Sequence, residues 1–132
     1  MISRIGLPRF FFGVYGIAAV AMALADTLFG NAVAAQTSFG YAPGWLREIA
    51  AFDLMLAFLC VRAVREPEDS SVVSSLASAL ALLSALIAAN NLDAYVRSSV
   101  SGHLQAAVIH ISACGTGIAV VRASARPRMN GT

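Results

Sequence analysis

Apolar residues gather along the chain in four long runs separated by short polar segments. The runs cover residues 10–29, 45–64, 71–89 and 102–121. Each run is about as long as the roughly 20 residues that a helix needs to cross a bilayer. The pattern predicts an all-α fold, a four-helix transmembrane bundle that forms a single domain over residues 1–132.

Residues that start or stop helices lie at the ends of these runs. Pro43 precedes the second run and Pro67 follows it, where a proline opposes continuation of the helix. Asn90 and Asn91 follow the third run, and Arg122 follows the fourth. These residues set the predicted boundaries of the spans.

The first run has a second interpretation. Arg4 and Arg9 precede it, and it reaches Ala23, Leu24 and Ala25 just before Asp26. A cleaved secretory signal has the same order of positive residues, apolar run and small residues at the cleavage site. Its apolar character continues through Phe29. We therefore expect an uncleaved membrane anchor, and a chain with three spans is the alternative.

Arginine is distributed unevenly over the predicted loops. Seven arginines flank the side that holds both termini and two flank the other side, and positive residues gather on the cytoplasmic side of membrane proteins. We expect a multi-pass protein of the bacterial inner membrane with both termini in the cytoplasm. Phe39, Tyr41 and Trp45 are expected as interfacial anchors on the outer side. The seven inner arginines are Arg4, Arg9, Arg62, Arg65, Arg122, Arg126 and Arg128, and the two outer ones are Arg47 and Arg97.

Composition disfavours a soluble enzyme and a nucleic-acid-binding protein. Hydrophobic residues make up 58% and charged residues 12% of the chain, against about 45–50% and about 25% in soluble domains. A net charge of +2 without a basic run offers little to a polyanion. The chain has no lysine for Schiff-base or phosphate chemistry. Cys60 and Cys114 form no CxxC motif. We expect no enzymatic activity, no cofactor and no nucleic-acid partner.

Small residues recur every four positions in the third run, at Ala77, Ala81, Ala85 and Ala89. Small side chains let helices approach closely in lipid, where hydrophobicity does not hold them together. The row predicts packing inside one four-helix bundle. Any row left over would bind a second copy or another membrane-protein subunit.

Ionisable and amide side chains fall in the outer halves of the predicted spans. An ionised carboxylate that faces lipid costs about 3 kcal/mol or more, so we expect Asp53 to point into the bundle between Ala50 and Ala57. His110 is its expected hydrogen-bond partner at similar depth. Other candidate partners of Asp53 are Tyr15, Ser84 and Thr116. The outer polar set, predicted to form an outward-facing pocket, comprises Asp26, Glu48, Asp53, Asn90, Asn91, Asp93, His103 and His110.

Several roles fit this predicted pocket. An Asp53–His110 pair would carry a proton or a cation. A divalent metal would need a third ligand such as Glu48 or Asp26, and the chain has no HxxxH motif. Haem ligation by His103 and His110 is disfavoured because both lie on one helix about 10 Å apart. In a purely structural role, the Asp53–His110 hydrogen bond would fix helix register.

The run Arg-Glu-Ile-Ala-Ala-Phe-Asp-Leu at residues 47–54 is followed by Pro67 after the second span and Asp93 after the third. Together these features resemble uncharacterised small bacterial four-helix integral membrane proteins, in which a similar run opens helix two and a histidine-bearing segment opens helix four. The resemblance covers roughly two-thirds of the chain and implies no established activity. The family features that it implies are Glu48, Asp53, Asp93 and His103.

We expect a non-catalytic integral membrane protein that acts as an accessory or interaction subunit of a larger membrane assembly. The alternative is a small proton- or cation-linked transporter or sensor that uses the outward-facing polar pocket. Small multidrug transporters have a similar length and span count but carry an acid in the middle of helix one. Here helix one has only Asp26, near its outer end, and a path between such short bundles would require a homodimer.

Overall fold

The computed structural model describes residues 6–40 and 42–125. Within them the chain forms five helices and no strand, which confirms the predicted all-helical bundle. The helices are α1 Leu7–Leu28, α2 Gly30–Ala34, α3 Pro43–Arg65, α4 Ser71–Ser98 and α5 Ser101–Ser124. Four residues used in the sequence predictions, Arg4, Tyr41, Arg126 and Arg128, lie outside the described residues.

Local chemistry sets the helix ends. Proline stands in the first turns of α1 and α3, where its missing N–H group needs no partner. The Ser70 hydroxyl caps α4 by accepting a hydrogen bond of 3.2 Å from the N–H of Val73. Ser99 ends α4 in the left-handed region at φ 57°. Only Ser99 and Val100 separate α4 from α5, so these helices form a tight antiparallel hairpin.

Among the four long helices, α4 differs most from the prediction, because it continues nine residues beyond the predicted end at residue 89. The short helix α2 lies in a segment that the sequence pattern predicts as a loop. The Asn91 amide is buried on α4 and donates a hydrogen bond of 3.0 Å from Nδ2 to the Ile87 carbonyl oxygen. Its carbonyl oxygen Oδ1 has a partner on α5. Since both ends of the amide are satisfied, Asn91 does not stop the helix.

The bundle consists of two closely packed helical hairpins, α1 with α3 and α4 with α5. A Cβ added to Gly16 of α1 would lie 3.1 Å from Cβ of Cys60 on α3. One added to Gly117 of α5 would lie 3.0 Å from Cβ of Ala81 on α4. Both hairpins are therefore held by backbones in close approach. The hairpins meet where α1 contacts α5 and where α3 contacts α4, so α3 and α5 stand at diagonally opposite corners.

A cluster that we call the apolar core joins the hairpins at the end of the bundle near residues 7, 65, 71 and 124, here called the terminal end. Phe11 and Phe12 of α1 pack edge to face, with ring centroids 5.2 Å apart. The buried members of the apolar core are Phe11, Phe12, Cys60, Ala63, Val73, Ala77, Leu80 and Val120. Above this core the Tyr15 hydroxyl is hydrogen-bonded to Ser84 Oγ at 3.2 Å, which links α1 to α4. The opposite end of the bundle is called the distal end.

The outer surface of the helices is strongly apolar. Ile17 is 74% exposed and Val96 is 79% exposed, and large aliphatic side chains cover much of the remaining surface. In the described chain three helices are long and apolar enough to cross a membrane, namely Leu7–Leu28, Ser71–Ser98 and Ser101–Ser124. Such a surface fits lipid as its solvent. Helix α3 has 23 residues but carries more charge than the other three.

The four-residue row of alanines on α4 is only half buried. Ala77 and Ala81 pack inside the bundle, whereas Ala85 and Ala89 face outward. The buried face instead continues through Ser84 and on to Ala88, Asn91 and Ala94. A strict spacing of four drifts around a helix of 3.6 residues per turn, so the second half of the row leaves the interface.

Candidate functional site

The predicted polar pocket divides into separate groups at the distal end and in the middle of the bundle. Asp26 and Asp53 lie on the faces of α1 and α3 that pack together, close enough to interact electrostatically. His103 joins α5 to α4 and to the loop after α2. Asp93 pairs with Arg97 on the surface, and Glu48 is exposed. The chemistry of interest therefore lies with the first two groups.

Asp26 is a buried carboxylate near the end of α1. It follows Gly16, Ala19 and Ala23 along the stripe that packs on α3, and it is 5% exposed. No described residue donates a hydrogen bond to it or forms an ion pair with it. The Asp26 side chain lines an open cavity, where a donor or a cation would stabilise the carboxylate.

Asp53 lies on the face of α3 that packs on α1, between the buried Ala50 and Ala57, as the sequence predicts. It is half-buried and close enough to Asp26 for the two carboxylates to interact electrostatically. Like charges this close repel one another in a poorly solvated site. The antiparallel pairing of α1 with α3 thus creates a site where a positive charge would be stabilised.

Polar groups continue from this pair toward the centre of the bundle. The Tyr15 hydroxyl also interacts electrostatically with Asp53, and it is hydrogen-bonded to the fully buried Ser84. Asp26, Asp53, Tyr15 and Ser84 therefore form a series of polar side chains that descends from the distal end. Tyr15, Ser84 and Thr116 are the predicted alternative partners of Asp53. Tyr15 interacts with Asp53 electrostatically, whereas Thr116 donates a hydrogen bond to the Ser112 carbonyl oxygen.

A cavity of about 340 Å³ opens beside Asp26. Its wall is formed by the end of α1, by the first residues of α2 and by the first turn of α3. The polar side chains that line it include Asp26, Asn31 and Arg47. Arg47 is exposed and forms no ion pair within the described residues. The cavity thus has a buried negative group and an accessible positive group in one wall.

His103 is fully buried and uses both ring nitrogens. Nε2 accepts a hydrogen bond of 2.9 Å from the backbone N–H of Ser38, and Nδ1 lies 3.0 Å from Oδ1 of Asn91. A backbone N–H only donates, so Nε2 carries no proton and Nδ1–H donates to Asn91. The Phe39 ring packs edge-on against the imidazole at 4.9 Å between centroids.

These contacts anchor the loop between α2 and α3 to the α4–α5 hairpin. Gly102 permits the approach, because a Cβ there would overlap the carbonyl oxygen of Gln36. The helices on either side of this loop, α2 and α3, contribute Ala32 and Pro43 to the wall of the cavity beside Asp26. His103 therefore holds the segment that connects two parts of the cavity wall. The sequence marks His103 and Asn91 as polar but gives no sign of Ser38, whose backbone N–H and hydroxyl oxygen both lie 2.9 Å from Nε2.

The prediction of a hydrogen bond between Asp53 and His110 is wrong. His110 Nδ1 is buried without a hydrogen-bond partner among the described residues, and Asp53 interacts with Asp26 and Tyr15 instead. Asp53 lies on α3 and His110 on α5, which are diagonal rather than adjacent helices. Similar depth in the membrane did not bring them together.

The predicted metal ligands are not gathered either. In residues 6–40 and 42–125, no group of three or more His, Cys, Asp or Glu side chains is arranged to hold a metal ion. Two carboxylates and a hydroxyl supply few of the ligands that a divalent cation requires. The site offers negative charge rather than a coordination shell, which suits a proton or an ammonium group.

No protein-family model, curated protein or solved structure matches this chain. The resemblance to small bacterial four-helix membrane proteins stays a prediction.

Proposed function

We propose that the chain is a non-catalytic, four-span protein of the bacterial inner membrane with both termini in the cytoplasm. Helix α3 is the additional span, and its 23 residues correspond to about 34 Å. Arg47 and Glu48 lie near one end of α3, and Arg62 and Arg65 near the other. Charged side chains near helix ends reach the headgroups. Only Asp53 stands between them, and it faces α1.

Reporter fusions test this topology. Alkaline phosphatase fused after Gly40 is expected to be active outside the cytoplasm, and the same enzyme fused after Glu68 is expected to be inactive. A fluorescent protein at the C terminus is expected to fluoresce in the cytoplasm. Fusions after Gly40 and Glu68 that report the same side would contradict a spanning α3.

We propose that the protein works as a small proton- or cation-linked sensor or transporter. The observation that supports this role is the electrostatic interaction of Asp53 with Asp26, which itself lines a cavity at the distal end. Buried carboxylates inside membrane bundles are rare and mark ion or proton pathways. A bound cation would relieve both the burial of Asp26 and its repulsion with Asp53.

Melting temperatures in a nonionic maltoside detergent test this role. We expect the wild-type melting temperature to change from mildly acidic to mildly alkaline pH or on addition of monovalent cations. Asp26→Asn and Asp53→Asn should each flatten that response while circular dichroism shows an intact helical fold. Asp93→Asn is the matched control, because Asp93 is an exposed acid near the distal end of α4. A flat response of the wild type would refute the proposal.

A second candidate function is an accessory role in a larger membrane assembly. Gly13 on α1 and Gly115 on α5 face open space, with nothing within 4 Å of an added Cβ. Small residues on an outer helix face allow a neighbouring helix to approach closely. We expect Gly115→Leu to release the chain from a larger complex in native gels of mild-detergent extracts. A monomer in the wild-type extract would contradict this role.

A further inference from the structure

The cavity beside Asp26 has two charged groups of opposite sign that do not pair with each other. Asp26 is 5% exposed and accepts no hydrogen bond from the described residues. Arg47 lines the same cavity, is exposed, and forms no ion pair within the described chain. Within the described residues, the carboxylate and the guanidinium are thus both left for a ligand.

The size of the cavity indicates an organic ligand. Its volume of about 340 Å³ lies at the lower end of the range of roughly 300–1,000 Å³ for small-molecule sites. A molecule with a positive and a negative group a few bonds apart would reach both charges in the wall.

The position of the cavity places it at the membrane surface. It lies between the last turn of α1 and the first turn of α3, and the exposed aromatic rings of Phe29 and Trp45 stand at the same end. Aromatic residues are enriched at the interface between lipid and water. The cavity is therefore accessible from the aqueous side and from the headgroup layer.

We propose that this cavity binds a zwitterion of the phosphoethanolamine type, with its ammonium group at Asp26 and its phosphate at Arg47. The inference rests on the proposed cation site and names its ligand class. An ammonium group supplies three N–H donors to a carboxylate that has none. Arginine presents a planar fork of donors that matches phosphate oxygens. The same chemistry occurs in free phosphoethanolamine and in the headgroup of phosphatidylethanolamine.

Isothermal titration calorimetry with O-phosphoethanolamine tests the site in maltoside micelles, which contain neither ammonium nor phosphate. We expect saturable binding by the wild-type chain, and binding at least about tenfold weaker for ethylammonium or inorganic phosphate alone. Asp26→Asn and Arg47→Gln should each weaken phosphoethanolamine binding about tenfold or more. Arg47 is exposed, so Arg47→Gln provides a test in a variant expected to fold.

Asp93→Asn and Arg97→Gln are the matched controls, because they remove an acid and an arginine near the distal end of α4. Both should bind phosphoethanolamine within about twofold of the wild type, since exposed pairs contribute little. The inference is overturned if folded wild-type protein binds no phosphoethanolamine, or if these controls weaken binding as much as Asp26→Asn does.

Nanodiscs identify the source of the ligand. If the lipid headgroup occupies the cavity, discs containing phosphatidylethanolamine abolish phosphoethanolamine binding, whereas discs of phosphatidylglycerol leave it intact. If the free molecule is the ligand, both discs leave binding intact. Either result upholds the zwitterion site.

A pH or cation response that depends on Asp53, without phosphoethanolamine binding, refutes this inference alone. Binding without such a response refutes the proposed cation-linked role alone.

Discussion

His103 and Asn91 join the two helices of the α4–α5 hairpin through a hydrogen bond of 3.0 Å between Nδ1 and Oδ1. The two residues are separated by 12 positions in the chain, and the short connection at Ser99 brings them face to face. The imidazole uses its other nitrogen to hold the backbone of Ser38. One side chain therefore fixes both the hairpin and the loop that connects α2 to α3.

Replacing His103 by Ala is expected to destabilise the protein by about 1–3 kcal/mol, because buried partners lose their hydrogen bonds. Unfolding in mixed maltoside and dodecyl sulfate micelles, followed by circular dichroism, measures this change. Asn91→Ala and the double variant complete a thermodynamic cycle. We expect a coupling energy of about 0.5 kcal/mol or more between the two sites. Strictly additive effects would show that the bond contributes nothing.

Replacing Gly102 by Ala is expected to release the loop after α2, because the new Cβ would overlap the Gln36 carbonyl oxygen. Alanine is the better helix former by about 1 kcal/mol, so a loss of stability would come from the overlap. Limited proteolysis should then cut the loop faster than in the wild type. Gly44→Ala is the control, since its Cβ meets open space. Unchanged cleavage of Gly102→Ala would contradict the packing.

Replacing Gly117 by Leu is expected to lower stability by about 1–3 kcal/mol through overpacking. A Cβ at this position would lie 3.0 Å from Cβ of Ala81 and 3.2 Å from the Ala77 carbonyl oxygen. Gly115→Leu is the control: Gly115 lies two residues earlier, on the opposite face of α5, and the same side chain there would extend into open space. We expect the Gly115 variant of the isolated chain to melt like the wild type. Equal losses in both variants would show that the hairpin contact is not the cause.

Replacing Asp26 by Asn is expected to stabilise the ligand-free protein at mildly alkaline pH, because it removes one of two carboxylates that repel each other. Asp53→Asn is expected to act in the same direction by removing the repulsion between the two acids. The double variant should gain less than the sum, with a difference of about 0.5 kcal/mol or more. Melting curves of the four proteins measure this. A loss of stability in both single variants would contradict the described pair.

The apolar runs predict the helices α1, α3 and α5 to within three residues at each end. Arg122, the predicted end of the fourth span, lies inside α5. Helix α4 is missed at its end because Asn91 was treated as a stop signal. Whether an amide ends a helix depends on its partners, and those come from α5. A single sequence does not show that Asn91 contacts His103 of α5.

The small neighbours Ala50 and Ala57 predict correctly that Asp53 points into the bundle. They do not predict which side chain interacts with it. Sequence gives the depth of Asp53 and His110 in the membrane without showing that their helices are diagonal. Asp26 had a usable signal, since it continues the buried stripe of Ala19 and Ala23 at helical spacing. Its position near the end of the span favoured a solvated headgroup residue instead.

The apolar core seals one end of the bundle. Phe12 and Val120 are 1% and 0% exposed. The buried members of the apolar core are apolar side chains and Cys60, so the series of polar side chains ends at Ser84. A solute that arrives at Asp53 from the cavity therefore meets a dead end. Transport would require the two hairpins to part at Phe12 and close elsewhere, whereas detection of an external ligand requires no such rearrangement. Packing at the far end of the molecule thus favours the role of a receptor over that of a carrier.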